Sequence, residues 1–393
     1  MGMGRNRAAL GYFVTASLVL GAAAMADDAS TIPPREAVIK SLPELHLLEP
    51  WWSSRIVHGD STLPLQLEQD GEITGRLALP AAELLSVKNA DGTRTYEVGK
   101  DVALGDDGKT LVFAKTSGVP FLTSADLYPA EGAPNSYRHR VGHPEQNLLF
   151  WQGHWFHDRQ VEVTYRRKTM EWTPPVPKYA AKLLPKTLAK LQAGKPITIG
   201  VSGDSITEGY NATGFTDGTP HMAPYPHLVA AQLQATYGSP VTLKNRAIAG
   251  WSIANGLQDL DALLAEKPDL IILAYGMNDV GRRNPEWFRE QNAEYLKRVH
   301  AANPDIEVVL VASMTGNREW IHTPNEMFPA YRDVLKSFVG PGVALADLTS
   351  VWMWLDESKV HLDLTGNGLN HPNDCGHRLY AQVILGLLVP PAP

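Results

Sequence analysis

Two patterns of hydrophobic and polar residues divide the chain near residue 195. Before this point, short segments alternate apolar with polar side chains and are separated by Asp-Gly and other Gly-rich turns. Alternation at this spacing is typical of antiparallel strands and predicts an all-β sandwich. The predicted strands include residues 72–79, 95–104, 109–114 and 160–167.

After residue 195, short apolar runs alternate with segments that have the period of a helix. Buried strands separated by helices predict an α/β fold with a doubly wound parallel sheet. The last helix is predicted to run through His377 to Leu388. Sites in such sheets form at the carboxyl ends of the strands. The predicted strands are 197–201, 241–247, 270–275, 308–313 and 343–348.

These patterns give a domain prediction. Residues 1–26 resemble a signal peptide, because Arg5 and Arg7 precede an apolar stretch that ends in the small-x-small sequence 24–26. A membrane anchor is the alternative, but the apolar core is short and diluted by small residues. We therefore expect an exported protein, periplasmic or secreted, with no membrane span after signal removal. A β-sandwich domain (40–170), a proline-rich linker (171–195) and a catalytic domain (196–390) would follow.

Composition excludes several classes of function. The net charge is -7 without a basic stripe, which argues against a nucleic-acid partner. Cys375 is the single cysteine, so the chain has no intrachain disulfide and no cysteine-based metal site. We expect Cys375 to be a small core residue at the start of a helix.

The stretch GVSGDSITEGYNATG (200–214) joins the first strand of the predicted sheet to a glycine-rich loop that also holds an asparagine. It lacks the lysine of a P-loop and the glycine spacing of a dinucleotide fingerprint. Two interpretations remain. Asp204 or Ser205 caps a helix with Glu208 as the capping-box partner, or Ser205 is a nucleophile.

Polar residues at the other strand ends favour the nucleophile. Gly250 follows the second strand and offers a backbone N–H, and Asn278 follows the third and offers a side-chain amide. His371 lies immediately before Pro372, on a loop ahead of the last helix. A serine at a strand-to-helix turn, an N–H group, an amide and a histidine are the parts of an acyl-transfer site.

These residues resemble the SGNH (GDSL) hydrolase family over about residues 196–388. Residues 203–207 resemble its first block and 276–279 its third, with Gly250 and His371 in the places of its second and fifth. The resemblance implies a flavodoxin-like fold, Ser205 as nucleophile and His371 as general base, then acid. It also implies an oxyanion hole from the N–H groups of Ser205 and Gly250 and the Asn278 amide. No cofactor or metal is implied.

A β-sandwich ahead of an SGNH domain resembles exported carbohydrate esterases. The expected substrate is therefore an acetylated oligo- or polysaccharide, and the expected reaction is hydrolysis of short acyl esters. A GDSL lipase or lysophospholipase is the alternative, weakened by the lack of a long apolar insertion. Two other classes are a catalytically inactive carbohydrate-binding protein and a metallophosphoesterase built on Asp204, Asn278, Asp279, His371 and His377. We interpret His377 as a packed histidine.

One expected residue is missing, because the family usually has an aspartate three residues before its histidine. That position is Gly368, preceded by Asn367. We predict that a backbone carbonyl accepts from the imidazole, giving a Ser–His dyad; the alternative is a displaced acid, Asp363. A second Gly-Asp-Ser, at residues 59–61, lies in the β half and is interpreted as turn chemistry.

Overall fold

The computed structural model describes residues 32–391, so the predicted signal peptide lies outside the described residues. No helix within this range is long and apolar enough to cross a membrane. The first half of the described chain is built mainly of short strands. They are β1 (Ile56–Thr62), β2 (Leu65–Gln66), β3 (Ile73–Arg76), β4 (Ala81–Asn89), β5 (Val102–Leu104), β6 (Thr110–Phe113), β7 (Leu122–Thr123), β8 (Ser136–Tyr137), β9 (Leu148–Leu149) and β10 (Val161–Arg167).

Two main sheets form from these strands. One has the order β1-β10-β4 and is antiparallel, and the other has the order β5-β6-β3-β2-β7. Apolar side chains from both sheets, including Val163 and Leu111, belong to one buried core. The predicted strand 95–104 is a strand only at its end, because the chain turns at Gly99, where φ is +86° and the N–H donates to Val102.

The second half contains β11 (Ile197–Gly203), β12 (Val241–Asn245), β13 (Leu270–Ala274), β14 (Glu307–Ala312) and β15 (Val343–Asp347). They form one parallel sheet with the order β12-β11-β13-β14-β15. The α/β fold class and its doubly wound parallel sheet are thus confirmed. The order reverses at β11, and the crevice outside the carboxyl ends of the strands at such a point is where α/β proteins bind ligands.

Helices connect and cover these strands. Asparagine and aspartate side chains begin several of them: Asn284 Oδ1 accepts from the Trp287 N–H at 3.0 Å, and Asp347 Oδ1 accepts from Ser350 at 2.9 Å. The helices are α1 (Arg35–Leu45), α2 (Ser124–Leu127), α3 (Pro185–Gln192), α4 (Ser205–Glu208), α5 (Tyr225–Tyr237), α6 (Ile253–Ala265), α7 (Pro285–Ala302), α8 (Phe328–Lys336), α9 (Leu348–Ser358) and α10 (Asp374–Leu388).

The segment predicted as a linker packs against the second half of the chain. It contains α3, whose Leu188 and Leu191 are buried in the same apolar core as Ile197 and Ile199 of β11. Two carboxylate oxygens of Glu307 accept the N–H groups of Lys186 and Thr187 at 3.0 and 2.8 Å. The connection is therefore a packed helix rather than an extended spacer.

The Gly-Asp-Ser sequence at residues 59–61 is not a turn, and that interpretation was wrong. It lies within β1, at a bulge between Val57 and Asp60, and Gly59 has φ +63°. Its side chains contact the loop and helix that flank His371 in the chain. Asp60 pairs with Lys359 at 2.9 Å, and Ser61 accepts from Asn373 at 2.9 Å. This stretch therefore joins the first, β-rich half of the chain to the second half.

Candidate active site

Ser205 is held at the carboxyl end of β11 by a sharp strand-to-helix turn. Asp204 is the N-cap of α4, and its carboxylate accepts from the Ile206 N–H at 3.0 Å. A side chain at Gly203 would lie 2.5 Å from Thr207, so the turn requires glycine there. The capping interpretation was thus right for Asp204. The Ser205 side chain does not cap the helix and is available as the nucleophile.

Glu208 does not act as a capping-box partner. Its carboxylate instead accepts from the backbone N–H of Ala249 at 2.6 Å, in the loop after β12. Burial raises the pKa of Glu208, and the hydrogen bond from Ala249 opposes that rise. The contact fixes the loop that carries Gly250 relative to the helix that carries Ser205.

His371 lies against the nucleophile. Its Nε2 atom is 2.9 Å from Ser205 Oγ, although the two residues are 166 positions apart. The loop before α10 is held by Asn367, whose side-chain oxygen accepts N–H groups from Leu369, Asn370 and His371 at 2.9–3.2 Å. The fold therefore brings together the serine and histidine that the sequence predicts.

The other ring nitrogen of His371 faces an asparagine that the sequence patterns do not single out. Nδ1 lies 2.8 Å from the side-chain oxygen of Asn211. The Asn211 amide nitrogen donates to the carbonyls of Gly153 at 2.7 Å and Gly366 at 3.0 Å. Because an amide nitrogen donates and carbonyls accept, the oxygen is the atom that faces His371. The imidazole proton therefore lies on Nδ1, and the Nε2 lone pair faces Ser205.

Neither of the two expected acceptors contacts the imidazole, although a Ser–His pair without a carboxylate, as in the predicted dyad, is what the structure shows. The acceptor for His371 is a side-chain amide rather than a backbone carbonyl. Asp363 is turned away: its carboxylate accepts from Leu63 at 2.8 Å and Val360 at 3.1 Å, and Lys359 lies 3.8 Å from it. Asp363 is thus part of the contact between the two halves of the chain.

Gly250 and Asn278 follow the strands on either side of β11. Gly250 has φ +79°, and apart from its two chain neighbours no atom of the described chain lies within 4 Å of the position a Cβ would take. The side-chain amide of Asn278 donates one hydrogen to the carbonyl of Trp251 at 2.9 Å. An amide nitrogen carries two hydrogens, so this bond orients the group and leaves one for a substrate oxygen.

The electrostatics of the site follow from burial. Burial lowers the pKa of the half-buried His371, and neighbouring His377 lowers it further. Burial raises the pKa of Asp204 to about 8, and raises that of Asp279 to about 7. Because the pKa of His371 is lowered, its imidazole is neutral, which is the form that accepts a proton.

Several residues of the site's surroundings are structural. His377 is fully buried: one ring nitrogen donates to the Tyr210 carbonyl at 3.1 Å, and the other lies 3.4 Å from the Tyr225 N–H. Burial raises the pKa of the Cys375 thiol to about 11, as expected for a core residue. In the described range, one group of three His, Cys, Asp or Glu side chains could share a metal ion, and it contains none of the predicted site residues.

Residues 201–379 match the model of the GDSL-like lipase/acylhydrolase family. This match covers the parallel sheet and its helices, somewhat less than half of the 393-residue chain. No curated protein matched the chain. The fold of this part of the chain is that of an SGNH hydrolase, as the presence of the four blocks in order predicted.

Three solved structures with similar folds are described by their identity and coverage. One is a two-domain esterase (CEX) active on acetylated mannans, co-crystallised with mannopentaose; it is 21% identical, with a TM-score of 0.43 over 55% of this chain and 58% of that one. A variant of Axe2, an acetyl-xylooligosaccharide esterase from Geobacillus, is 18% identical, with a TM-score of 0.40 over 50% and 96%. TesA is 22% identical, with a TM-score of 0.37 over 48% and 96%.

Proposed function

We propose that this protein is a serine esterase that removes short acyl groups, acetyl above all, from a carbohydrate. The observation that carries the proposal is the 2.9 Å contact between Ser205 Oγ and His371 Nε2, with the imidazole held as the Nδ1–H tautomer. A neutral imidazole facing a serine hydroxyl is the starting state of nucleophilic acyl transfer.

In this mechanism Nε2 takes the Ser205 proton as Oγ attacks the ester carbonyl. The carbonyl oxygen becomes negative and is bound by the N–H groups of Ser205 and Gly250 and by the Asn278 amide. His371 then gives its proton to the leaving alcohol, and an acyl-serine remains. Water attacks this intermediate by the same route, releasing the acid and restoring Ser205.

The carbohydrate part of the proposal has two supports. The β-sandwich precedes the hydrolase domain, an order that resembles exported carbohydrate esterases. The loop after α4 that follows the nucleophile, residues 214–221, is polar and glycine-rich rather than a long apolar segment for a fatty chain. An exported location, periplasmic or secreted, is consistent with this substrate and is proposed with it.

We expect p-nitrophenyl acetate to have the highest kcat/KM in a series of p-nitrophenyl esters of increasing chain length. The reason is the absence of a long apolar insertion in the sequence to bind a fatty chain. The same protein should release acetate from an acetylated mannan or xylan. A preference for eight carbons or more would instead indicate a lipase or lysophospholipase, and polysaccharide binding without turnover would indicate an inactive binding protein.

Asn278→Ala should lower kcat by about 100- to 1,000-fold with a modest change in KM, because the amide stabilises charge that develops in the transition state. Asn284→Ala is a matched control, since Asn284 caps α7 through Trp287 and faces no predicted site residue. It should lower the melting temperature and leave kcat near that of the wild type. An equal loss of kcat in both variants would contradict the oxyanion role.

The rate should also stay high in mildly acidic solution. Catalysis needs neutral His371 and is lost as the pH falls through the pKa of that group. Burial and His377 place this pKa below the usual 6.5, so the neutral form persists below pH 6.5. A profile of kcat/KM against pH, within the range where the fold is intact, should therefore have its acid limb below 6.5. An acid limb above 7 would contradict the assignment.

A further inference from the structure

We infer that Asn211 is the positioning residue of His371, and that the site is built for a neutral amide rather than a carboxylate. This inference rests on the proposed esterase function. Asn211 is in the left-handed region, with φ +65°, a conformation that asparagine tolerates better than most residues. That conformation places its side-chain oxygen 2.8 Å from His371 Nδ1.

The surroundings of Asn211 select the amide. Its nitrogen donates to two carbonyl oxygens, those of Gly153 at 2.7 Å and Gly366 at 3.0 Å. An aspartate would turn an acceptor oxygen toward both carbonyls and would lose both hydrogen bonds. A side chain at Gly366 would also come within 2.3 Å of the Asn211 Cβ. This packing holds the amide in one orientation.

Gly153 belongs to the β half of the chain, so that half takes part in orienting the histidine. The segment around it docks on the catalytic half at further points. The Trp151 N–H donates to the Asn367 carbonyl at 3.3 Å, and His157 donates to the Thr219 carbonyl at 2.9 Å. Residues 150–159 thus pack between the halves and fix Asn211 through the backbone carbonyl of Gly153.

Asn211→Ala should lower kcat by up to about 10,000-fold with little change in KM, because the wrong tautomer alone produces a loss of that order in a serine triad. The decisive readout is the histidine tautomer, measured by NMR on 15N-histidine-labelled protein. Wild-type His371 should carry its proton on Nδ1, and the variant should show the Nε2–H form. Asn211→Asp keeps the oxygen that faces His371. It should keep the Nδ1–H form and far more kcat than the alanine variant, at a lower melting temperature.

Asn317→Ala is the matched control. Asn317 donates to the Gly368 carbonyl at 2.9 Å and so supports the same loop without touching the imidazole. In this variant His371 should have the same tautomer as in the wild type. Wild-type kcat and an unchanged tautomer in Asn211→Ala would overturn the inference. Activity in Ser205→Ala would overturn the esterase mechanism itself, so the two failures are distinguishable.

A second inference rests on different residues. The geometry points to a site for a divalent transition metal of the zinc class formed by His46, Glu49 and His58. Glu49 lies between the two histidines, 3.0 Å from His46 Nδ1 and 3.4 Å from His58 Nε2, and the three ligand atoms lie within 4.8 Å of one another. Ligand atoms around tetrahedral zinc are about 3.4 Å apart, and imidazole and carboxylate are common zinc ligands.

One further observation indicates a ligand here. The Nε2 atom of His58 is buried and is paired with the Glu49 carboxylate at 3.4 Å. The side-chain oxygen of Gln382 is also buried and makes no hydrogen bond within the described chain. Gln382 is a neighbour, since its nitrogen lies 3.4 Å from the His46 carbonyl.

Binding requires one ring to turn. The two imidazoles are stacked, with centroids 3.5 Å apart and planes 9° from parallel, so their in-plane lone pairs do not converge. His46 is the more exposed, at 32% against 19%, and is the ring that moves. It follows directly after α1, whereas His58 lies in β1. The bound ion would therefore fasten α1 to the β half.

Isothermal titration of the chelator-treated full chain with ZnCl2 tests this site. One equivalent should bind and raise the melting temperature. His46→Ala and His58→Ala should each weaken binding by at least about tenfold. His139→Ala is the control, because His139 and His322 form another close histidine pair, 2.9 Å apart, without a carboxylate between them. Absence of binding, or equal affinity in the His46→Ala/His58→Ala double variant, would overturn the inference.

Discussion

Ser205→Ala should abolish ester hydrolysis while leaving the fold unchanged. The hydroxyl is the group that would form the acyl-enzyme, and it lies 2.9 Å from His371 Nε2, the base that would activate it. Loss of the nucleophile of a serine triad costs about a million-fold in kcat. Burst kinetics with p-nitrophenyl acetate, together with a melting curve, would measure both effects.

The chain supplies a matched control in its second Gly-Asp-Ser. Ser61 is also a buried serine after an aspartate, but its hydroxyl contacts Asn373 at 2.9 Å rather than a histidine. Ser61→Ala should lower the melting temperature and leave most of the turnover. Full activity in Ser205→Ala, or equal inactivity in both variants, would contradict the assignment of the nucleophile.

Lys359→Met should destabilise the protein more than any change to a surface ion pair. The Lys359 ammonium is 1% exposed, lies 2.9 Å from Asp60 and 3.8 Å from Asp363, and donates to the Arg76 carbonyl at 2.5 Å. Burial acts to lower the pKa of Lys359, but the two carboxylates outweigh it and raise the pKa. Removing the cation leaves two buried carboxyl groups without their partner, which costs about 3–5 kcal/mol.

Denaturant unfolding would measure this loss, with Lys186→Met as the control. Lys186 pairs with Asp305 at 2.5 Å, but both side chains are at least half exposed, so the control should cost about 1 kcal/mol or less. Because Asp60 is in β1 and Lys359 precedes the His371 loop, Lys359→Met should also separate the melting of the two halves. A loss of unfolding free energy equal to that of the control would show that the buried ion pairs of Lys359 do not stabilise the fold.

The sequence by itself determined the class of fold and the residues that approach the substrate in the proposed mechanism. Strand periodicity placed β11 to β15 within a few residues of their observed bounds, because buried parallel strands are continuous apolar runs. Three blocks of the motif lie at strand ends, which the topology of a doubly wound sheet brings together, and His371 lies on the loop before α10. Ser205, Gly250, Asn278 and His371 could therefore be chosen from sequence patterns alone.

Tertiary structure alone decided what supports His371. Asn211 is only six residues after Ser205, yet its role depends on a positive φ and on carbonyls 58 and 155 positions away in the chain. The motif of the family predicts an acid upstream of the histidine. The carboxylate there, Asp363, instead accepts a hydrogen bond from the Leu63 N–H. Likewise, Gly59-Asp60-Ser61 resembled a turn locally, but long-range pairing of β1 with β10 made it a strand. Local patterns encode periodicity and caps, whereas hydrogen bonds between distant segments are fixed only when the whole chain is packed.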